Sequence, residues 1–299
     1  MQLLSNSNQL LETEYSELTT RFDIENGVLW TLVDHAGVPC FTQNLLSEIY
    51  HHHKSIESCG GQLHTSGATH NIRYSVIASL TPGVFNLGGQ LSLFRKLIRN
   101  RDRETLLQYA TLCIDAVAPR IGHFKSPIIT IALVQGDALG GGLEAALTSD
   151  VIIAECRSLM GFPEILFNLF PGMGAYSLLA RKIGARLAEK VILSGKTYKA
   201  EELYEMGLVD VLVEDGAGEQ AVYDFIKKQE RCAKGYAAIQ QVKQRCSPVA
   251  YQELIDIVTI WVDTALKLNE KDLRVMDYFV SAQEKLFAQS ASVQQRNIA

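Results

Sequence analysis

Between residues 18 and 213, apolar runs of strand length alternate with stretches of helical periodicity; beyond Gly216 only the helical period remains. Residues 21–24 and 28–33 flank Asn26-Gly27, a pair that closes tight hairpins because both residues tolerate positive φ. The pattern predicts a helix over 41–56, a strand rich in β-branched residues over 72–80, and helices over 91–99 and 102–121. Asp102 opens the last of these as its N-cap, with Glu104 in the first turn. The runs 127–134 and 150–155 are short and nearly all apolar, as expected of strands covered on both faces. Such alternation predicts a layered α/β core. Further on, Leu254, Ile257, Trp261 and Ala265 share one helical face, and Leu273, Met276, Val280 and Phe287 share another. The chain therefore divides into a core over 1–215 and a C-terminal helical region over 216–299. The apolar faces of that region must pack on the core, on another subunit, or on both. The polar stretch after Gln289 is expected to fray.

Composition narrows the class. In 299 residues, 47% are hydrophobic and 20% charged, which is globular composition with enough chain for one large domain and an appendage. The apolar runs fall far short of the roughly 20 residues that cross a bilayer, so membrane insertion is not expected. The first twenty residues carry Glu12 and Glu14 and lack the basic start and apolar centre of a signal segment. Six cysteines stand without a C-x-x-C pair, which predicts reduced thiols and a cytoplasmic location rather than a disulfide framework. A net charge of −5 and a pI near 5.8 argue against nucleic acid as the partner, since phosphate binding needs a basic field.

The chemistry concentrates around Val134-Gln135-Gly136-Asp137-Ala138-Leu139-Gly140-Gly141-Gly142-Leu143-Glu144. A buried strand runs into three consecutive glycines, and a helix then begins near Glu144. Glycine lets a ligand approach the backbone, and the first N–H groups of a helix have no intrahelical partner and favour negative charge. Gly136 and Gly141 have the P-loop spacing, but Gly142 stands where its lysine belongs, and G-x-G-x-x-G does not fit either. No G-x-S-x-G elbow exists to hold a serine nucleophile. What remains is an oxyanion site beside a carboxylate, or glycines that serve only tight strand–helix packing. A second glycine pair lies at Asn86-Leu87-Gly88-Gly89-Gln90, and a second carboxylate at Phe162-Pro163-Glu164-Ile165. Two glycine turns and two glutamates suit chemistry at the carbon next to a thioester carbonyl. The carbonyl oxygen needs N–H donors while the carboxylates move protons.

The stretch from Gly136 to Glu144, Phe162-Pro163-Glu164 and Pro171-Gly172-Met173-Gly174-Ala175 together resemble the crotonase (enoyl-CoA hydratase/isomerase) superfamily over about residues 22–213. Asn86 to Gly89, Ala132 to Gly136, Leu169 to Ser177 and Ile260 to Ala265 look most like its diffusible-signal-factor synthases. The resemblance implies an α/β fold of crotonase type, a spiral of ββα units with a C-terminal α-helical region that serves as pocket lid and oligomerisation element. It implies Glu144 and Glu164 as catalytic residues and the amides of Gly89 and Gly141 as the oxyanion hole. Leu87, Gly88, Leu139, Gly140, Met173 and Trp261 are the implied substrate contacts. The implied reaction is dehydration of a 3-hydroxyacyl-carrier-protein to a cis-2-enoyl thioester, then hydrolysis to the free cis-2-unsaturated acid, a signalling molecule. No bound cofactor is implied, because the acyl group rides on the phosphopantetheine of acyl carrier protein or CoA. The implied partners are acyl carrier protein, further copies of the chain in a trimer or dimer of trimers, and a signalling regulator such as a sensor kinase or cyclic-di-GMP receptor. The alternatives are an ordinary trans-2-enoyl-CoA hydratase and a scaffold that restrains a signalling regulator. The first glycine turn departs from the superfamily's usual A-G-A-D or A-G-G-D, reading Leu87-Gly88-Gly89-Gln90, which disfavours a standard β-oxidation hydratase.

Two charged features allow further readings. The run Arg95, Lys96, Arg99, Arg101, Arg103 offers either a face for an acidic carrier protein or a solvated helix surface. In His51-His52-His53, adjacent helical residues diverge, which is poor geometry for sharing a metal. Between the glutamates, Glu144 near a helix start reads as the ionised base. Glu164 among Phe162, Pro163, Ile165 and Phe167 reads as the neutral acid.

Overall fold

A computed structural model describes residues 10–65 and 67–298. The first nine of the twenty leading residues read for a signal segment, and the side chain of Phe287, lie outside the described residues. The first sheet strands form a hairpin, β1 (Leu18–Asp23) against β2 (Val28–Val33), joined by a four-residue loop in which Gly27 takes φ 62°. Helix α1 (Gln43–Ser58) follows, capped by the Thr42 side chain, then a small hairpin of β3 (Gln62–Thr65) and β4 (Ala68–Asn71). Three successive units then repeat one plan: β5 (Tyr74–Ser79) with β6 (Gly83–Asn86), β7 (Ile129–Val134) with β8 (Gly136–Leu139), and β9 (Val151–Glu155) with β10 (Leu159–Gly161). The first strand of each enters a six-stranded sheet of order β1-β2-β5-β7-β9-β12, and the second enters a four-stranded sheet of order β11-β10-β8-β6. Here β11 is Thr197–Lys199 and β12 is Val211–Val213. Within the repeat all neighbours run parallel, β5-β7-β9 in one sheet and β6-β8-β10 in the other. This is the spiral of ββα units, with helices between and after.

The repeat explains where a site must form. The carboxyl ends of β6, β8 and β10 lie side by side, and each leads into helical backbone: α2 (Leu91–Arg99) and α3 (Arg103–Ile121) after β6, α4 (Gly141–Leu147) after β8, and a 3₁₀ turn at Pro163–Phe167 after β10. In open α/β sheets, the crevice at the carboxyl ends of parallel strands is where ligands bind. Helices α5 (Ala175–Ile183), α6 (Ala185–Ser194) and α7 (Ala200–Glu205) complete the core. Asp102 caps α3 as expected, accepting from the Thr105 N–H at 3.1 Å.

After β12 only helices remain: α8 (Gly218–Glu230), α9 (Ala233–Cys246), α10 (Tyr251–Ala265) and α11 (Glu270–Ile298). Their first member is not an outlying appendage. Ala221, Val222 and Ile226 of α8 close the outer face of the large sheet against Val76, Ile131 and Ile153. Helix α10 buries Leu254, Val258, Trp261 and Ala265 against the main core; Ile257, expected on that face, is only half-buried. Helix α11 buries Leu273, Met276 and Val280 and continues to Ile298, where fraying is expected from composition alone. No helix among the described residues is long and apolar enough to cross a membrane. All six cysteines are free thiols.

Candidate active site

The first turn, after β6, shows how its glycines are used. Gly88 sits at φ 90°, a region that side chains rarely adopt, and its Cα packs against the Gly141 turn. Almost every backbone polar group from Leu87 to Gln90 is engaged. Leu87 N–H donates to the Pro39 carbonyl at 2.7 Å, and Gly88 N–H to Asn86 Oδ1 at 2.8 Å. The Gly88 carbonyl accepts from Phe41 N–H at 2.8 Å, and Gln90 N–H reaches the Tyr109 hydroxyl at 3.3 Å. The Gly89 N–H donates no hydrogen bond among the described residues. Gly141 begins α4, so its N–H also lacks an intrahelical acceptor.

Gly89, Gly141, Glu144 and Glu164 line one pocket of about 570 Å³, counted out to its mouth. Two free amides and two carboxylates therefore face the same space. Its remaining wall is apolar or aromatic: Leu91 and Phe94 from α2, Tyr109 and Cys113 from α3, and Val258 and Trp261 from α10, with Met173 on the opposite loop. Trp261 stacks edge-on with Phe94 at 5.1 Å, and a Cβ on Gly172 would strike its indole. Leu87, Gly88, Leu139 and Gly140 are not on the pocket wall. They form the paired turns behind it, with a Cβ on Gly88 falling 2.9 Å from the Leu139 carbonyl oxygen.

Glu144 is buried, and one oxygen, Oε1, accepts from Met173 N–H at 2.6 Å and Ala175 N–H at 2.9 Å. Ala175 is the first residue of α5. The helix terminus that serves Glu144 is therefore not its own, because a side chain in the first turn of α4 points outward to the neighbouring loop. Burial raises its pKa to about 7, and the two amide donors oppose that rise. Glu164 leaves the 3₁₀ turn between buried Phe162 and Phe167, and its Oε2 is shut from solvent with no hydrogen-bond partner among the described residues. Its Oε1 lies so close to Gly140, at φ 54°, that any Cβ there would collide with it. Burial and the neighbouring Glu144 charge raise its pKa to about 8. The two groups share one environment and titrate as a pair in which Glu164 holds its proton more tightly.

The model of the enoyl-CoA hydratase/isomerase family matches residues 52–289. The chain belongs to this family. Among curated relatives, it is similar to the probable enoyl-CoA hydratase 2, mitochondrial, of Arabidopsis thaliana (30% identical over 193 residues, 64% of this chain and 60% of that protein). It is also similar to the 2,3-dehydroadipyl-CoA hydratase of Escherichia coli strain K12 (36% over 134 residues, 44% of this chain and 52% of that protein). The match thus spans 60% and about half of those two relatives' lengths. The solved structure of Pseudomonas aeruginosa DspI superposes with a TM-score of 0.63 at 23% identity, covering 79% of this chain and 90% of that one. An enoyl-CoA hydratase from Bacillus halodurans superposes at 0.71 with 20% identity, covering 89% and 100%. At these identities the likeness is one of fold.

Within this enoyl-CoA hydratase/isomerase chain, the basic run is mostly spoken for. Arg95 pairs with Asp277, Arg99 lies 3.3 Å from Glu270, and Arg103 lies 2.9 Å from Asp263, so three of the five charges tie α2 and α3 to the C-terminal helices. Two members of the histidine triplet are also structural, while His51 is exposed. His52 meets the Thr31 hydroxyl at 2.8 Å and His53 the Ala116 carbonyl at 2.6 Å, both rings buried. Tyr109, Phe41 and Val258 were invisible as site residues because no local motif marks them; only the fold brings them together.

The raised carboxyls make a stability prediction. Between pH 4.5 and about 8 the folded protein holds protons that the unfolded chain releases, so stability falls as pH rises through that window. Each such group contributes a slope of up to about 1.4 kcal/mol per pH unit. Glu164→Gln is expected to flatten the slope and to be more stable than wild type at pH 9, as read by urea unfolding at pH 6 and 9. Equal slopes would show that Glu164 is not desolvated.

Proposed function

We propose that this chain converts a 3-hydroxyacyl thioester carried on acyl carrier protein into a free cis-2-unsaturated fatty acid, a diffusible signal. The observation that carries the reading is one apolar pocket lined by Glu144, Glu164 and the unengaged amides of Gly89 and Gly141. The sequence resemblance of the two turns and of the 260–265 segment to signal-factor synthases supplies the choice of substrate. The thioester oxygen accepts from the Gly89 and Gly141 N–H groups, which lowers the energy of the enolate formed when a C2 proton leaves. Glu144, the more acidic of the pair, takes that proton. Glu164, neutral, protonates the C3 hydroxyl, which departs as water. Dehydration leaves Glu144 protonated and Glu164 ionised, the state that thioester hydrolysis needs. Glu164 then takes a proton from water as the oxygen attacks the carbonyl, and the tetrahedral oxyanion occupies the same two amides. Glu144 returns its proton to the leaving thiolate. The cycle ends with both carboxyls in their starting states.

The apolar wall of Phe94, Trp261 and Val258 suits an acyl tail, and Met173 and Trp261 serve as substrate contacts. In this reading the phosphopantetheine arm brings the only group resembling a cofactor, and the protein works in the cytoplasm. Lys96 and Arg101 remain as basic side chains for an acidic carrier protein. The hydratase activities of the curated relatives favour one rival, a trans-2-enoyl-CoA hydratase. Copurification with bound regulators, combined with an assay of acid release, separates the enzyme from a scaffold. Free acid formed by the purified chain alone supports the enzyme; a tightly held regulator without acid release overturns it.

Assembly belongs to the same reading. Helix α9 buries only Gln240, and Ile239 and Val242, three apart, are each 51% exposed. We expect a trimer or a dimer of trimers with this face covered. Sedimentation equilibrium at micromolar concentration should give three or six chain masses, and the mass of one chain would contradict it.

A further inference from the structure

The Leu87-Gly88-Gly89 turn leaves two carbonyls for which its own surroundings supply no donor, and the C-terminal helix answers both. Gln283 Nε2 of α11 donates to the Leu87 carbonyl at 2.9 Å and to the Gly89 carbonyl at 3.4 Å. Its side chain is buried, 196 residues from the group it serves. One turn earlier on the same face, Phe279 packs on Phe167 at 5.5 Å, closing the 3₁₀ turn that carries Glu164. Farther back, Asp277 and Glu270 pair with Arg95 and Arg99 of α2, the helix that begins directly after the glycine turn. Helix α11 thus grips both halves of the pocket, and Gln283 hydrogen-bonds the glycine turn itself.

We propose that Gln283 is a positioning residue for the reaction: by holding the carbonyls on either side of Gly88, it fixes the Gly89 N–H toward the thioester oxygen. The inference rests on the reading that Gly89 is an oxyanion donor. The planes of the 87–88 and 89–90 peptides each carry one of the gripped carbonyls, and the intervening 88–89 peptide carries the free N–H. Phe41 N–H already holds the carbonyl end of that middle plane at 2.8 Å; securing both flanks removes the rotation left to its N–H end, while Tyr109 holds the next amide from the other side. A primary amide suits the task because its two hydrogens reach two acceptors at once. An oxyanion donor contributes in the transition state more than in the ground state, so loss of aim lowers kcat and leaves KM nearly unchanged.

The test uses the full chain with a 3-hydroxyacyl-carrier-protein substrate. Gln283→Leu should lower kcat about 10- to 100-fold, less than the roughly 10²- to 10³-fold for outright loss of an oxyanion donor, with KM within threefold. Gln283→Glu keeps the shape but donates only while protonated. Its rate, divided by wild type at each pH, should therefore fall as pH rises through the titration of the new carboxyl, a signature that loss of packing alone does not produce. Difference infrared spectra of a bound non-hydrolysable analogue, with a methylene in place of the thioester sulfur, should show the carbonyl stretch at higher frequency in Gln283→Leu than in wild type. The proposal is overturned if kcat, pH profile and carbonyl frequency of both variants match wild type while Glu144→Gln is inactive. A fully active Glu144→Gln would instead sink the underlying reading, and this proposal with it. Should Gln283→Leu fail to fold, the pH profile of Gln283→Glu alone decides.

Discussion

Glu144→Gln and Glu164→Gln are each expected to slow dehydration of a 3-hydroxyacyl thioester by roughly 10²- to 10⁴-fold, the scale of a lost general acid or base. Both substitutions keep size and shape. At position 144 the glutamine carbonyl still accepts from Met173 and Ala175, so the loop that meets α5 stays in place and only the proton acceptor is lost. At position 164 an uncharged amide replaces a carboxyl that has no partner on Oε2. Exchange of the C2 proton with solvent divides the roles. In the proposed mechanism Glu144 is the base, so Glu164→Gln should retain exchange and Glu144→Gln should lose it. The opposite result reverses the assignment, and wild-type rates in both variants would end the two-carboxylate account.

Arg120→Ala is expected to destabilise the fold by about 3–5 kcal/mol, a drop of order 10 °C in Tm for a chain of this size. Arg120 is fully buried beneath the large sheet, and burial pulls its pKa down to about 9. Its guanidinium donates to the Ser75 hydroxyl at 3.0 Å, the Ser75 carbonyl at 3.2 Å, the Ile131 carbonyl at 2.7 Å and the Ser149 hydroxyl at 3.0 Å. Those acceptors belong to β5, β7 and the turn before β9, so one side chain ties two neighbouring strands and the entry to a third to α3. Alanine leaves a cavity and buried acceptors with one donor fewer, and each unsatisfied group costs about 1–3 kcal/mol. Its positive charge also helps burial to keep His52 and His53 neutral, with both ring pKa values lowered. Removal should raise both. Chemical denaturation and histidine NMR titration check the two effects, and a variant as stable as wild type would contradict this account of the sheet.

What was legible in the sequence follows from the range of each interaction. The Asn26-Gly27 hairpin, the Asp102 cap and the apolar runs that became β7 and β9 depend on residues a few positions apart, and they appear as read. The small sheet was not legible. Its strands β6, β8, β10 and β11 are three or four residues long, the first three of them glycine-bearing, with too few positions to show a period of two. The glycine turns and both glutamates stood out as motifs, and they converge because three repeats deliver them to one sheet edge. The donors to Glu144 come from residues 173 and 175, and the grip on the Gly89 turn comes from residue 283. No pattern within a sequence window encodes such contacts. The basic run shows the same limit from the other side, since its arginines look free until Asp263, Glu270 and Asp277 come back across α2 and α3.

The central claim is that one pocket performs both dehydration and thioester hydrolysis. Purified protein incubated with a 3-hydroxyacyl-carrier-protein, with the products resolved by mass spectrometry against cis and trans standards, tests it most directly. The account predicts a free cis-2-unsaturated acid accumulating with unloaded carrier protein. A trans-2-enoyl thioester in equilibrium with the 3-hydroxyacyl thioester, with no acid released, would contradict it.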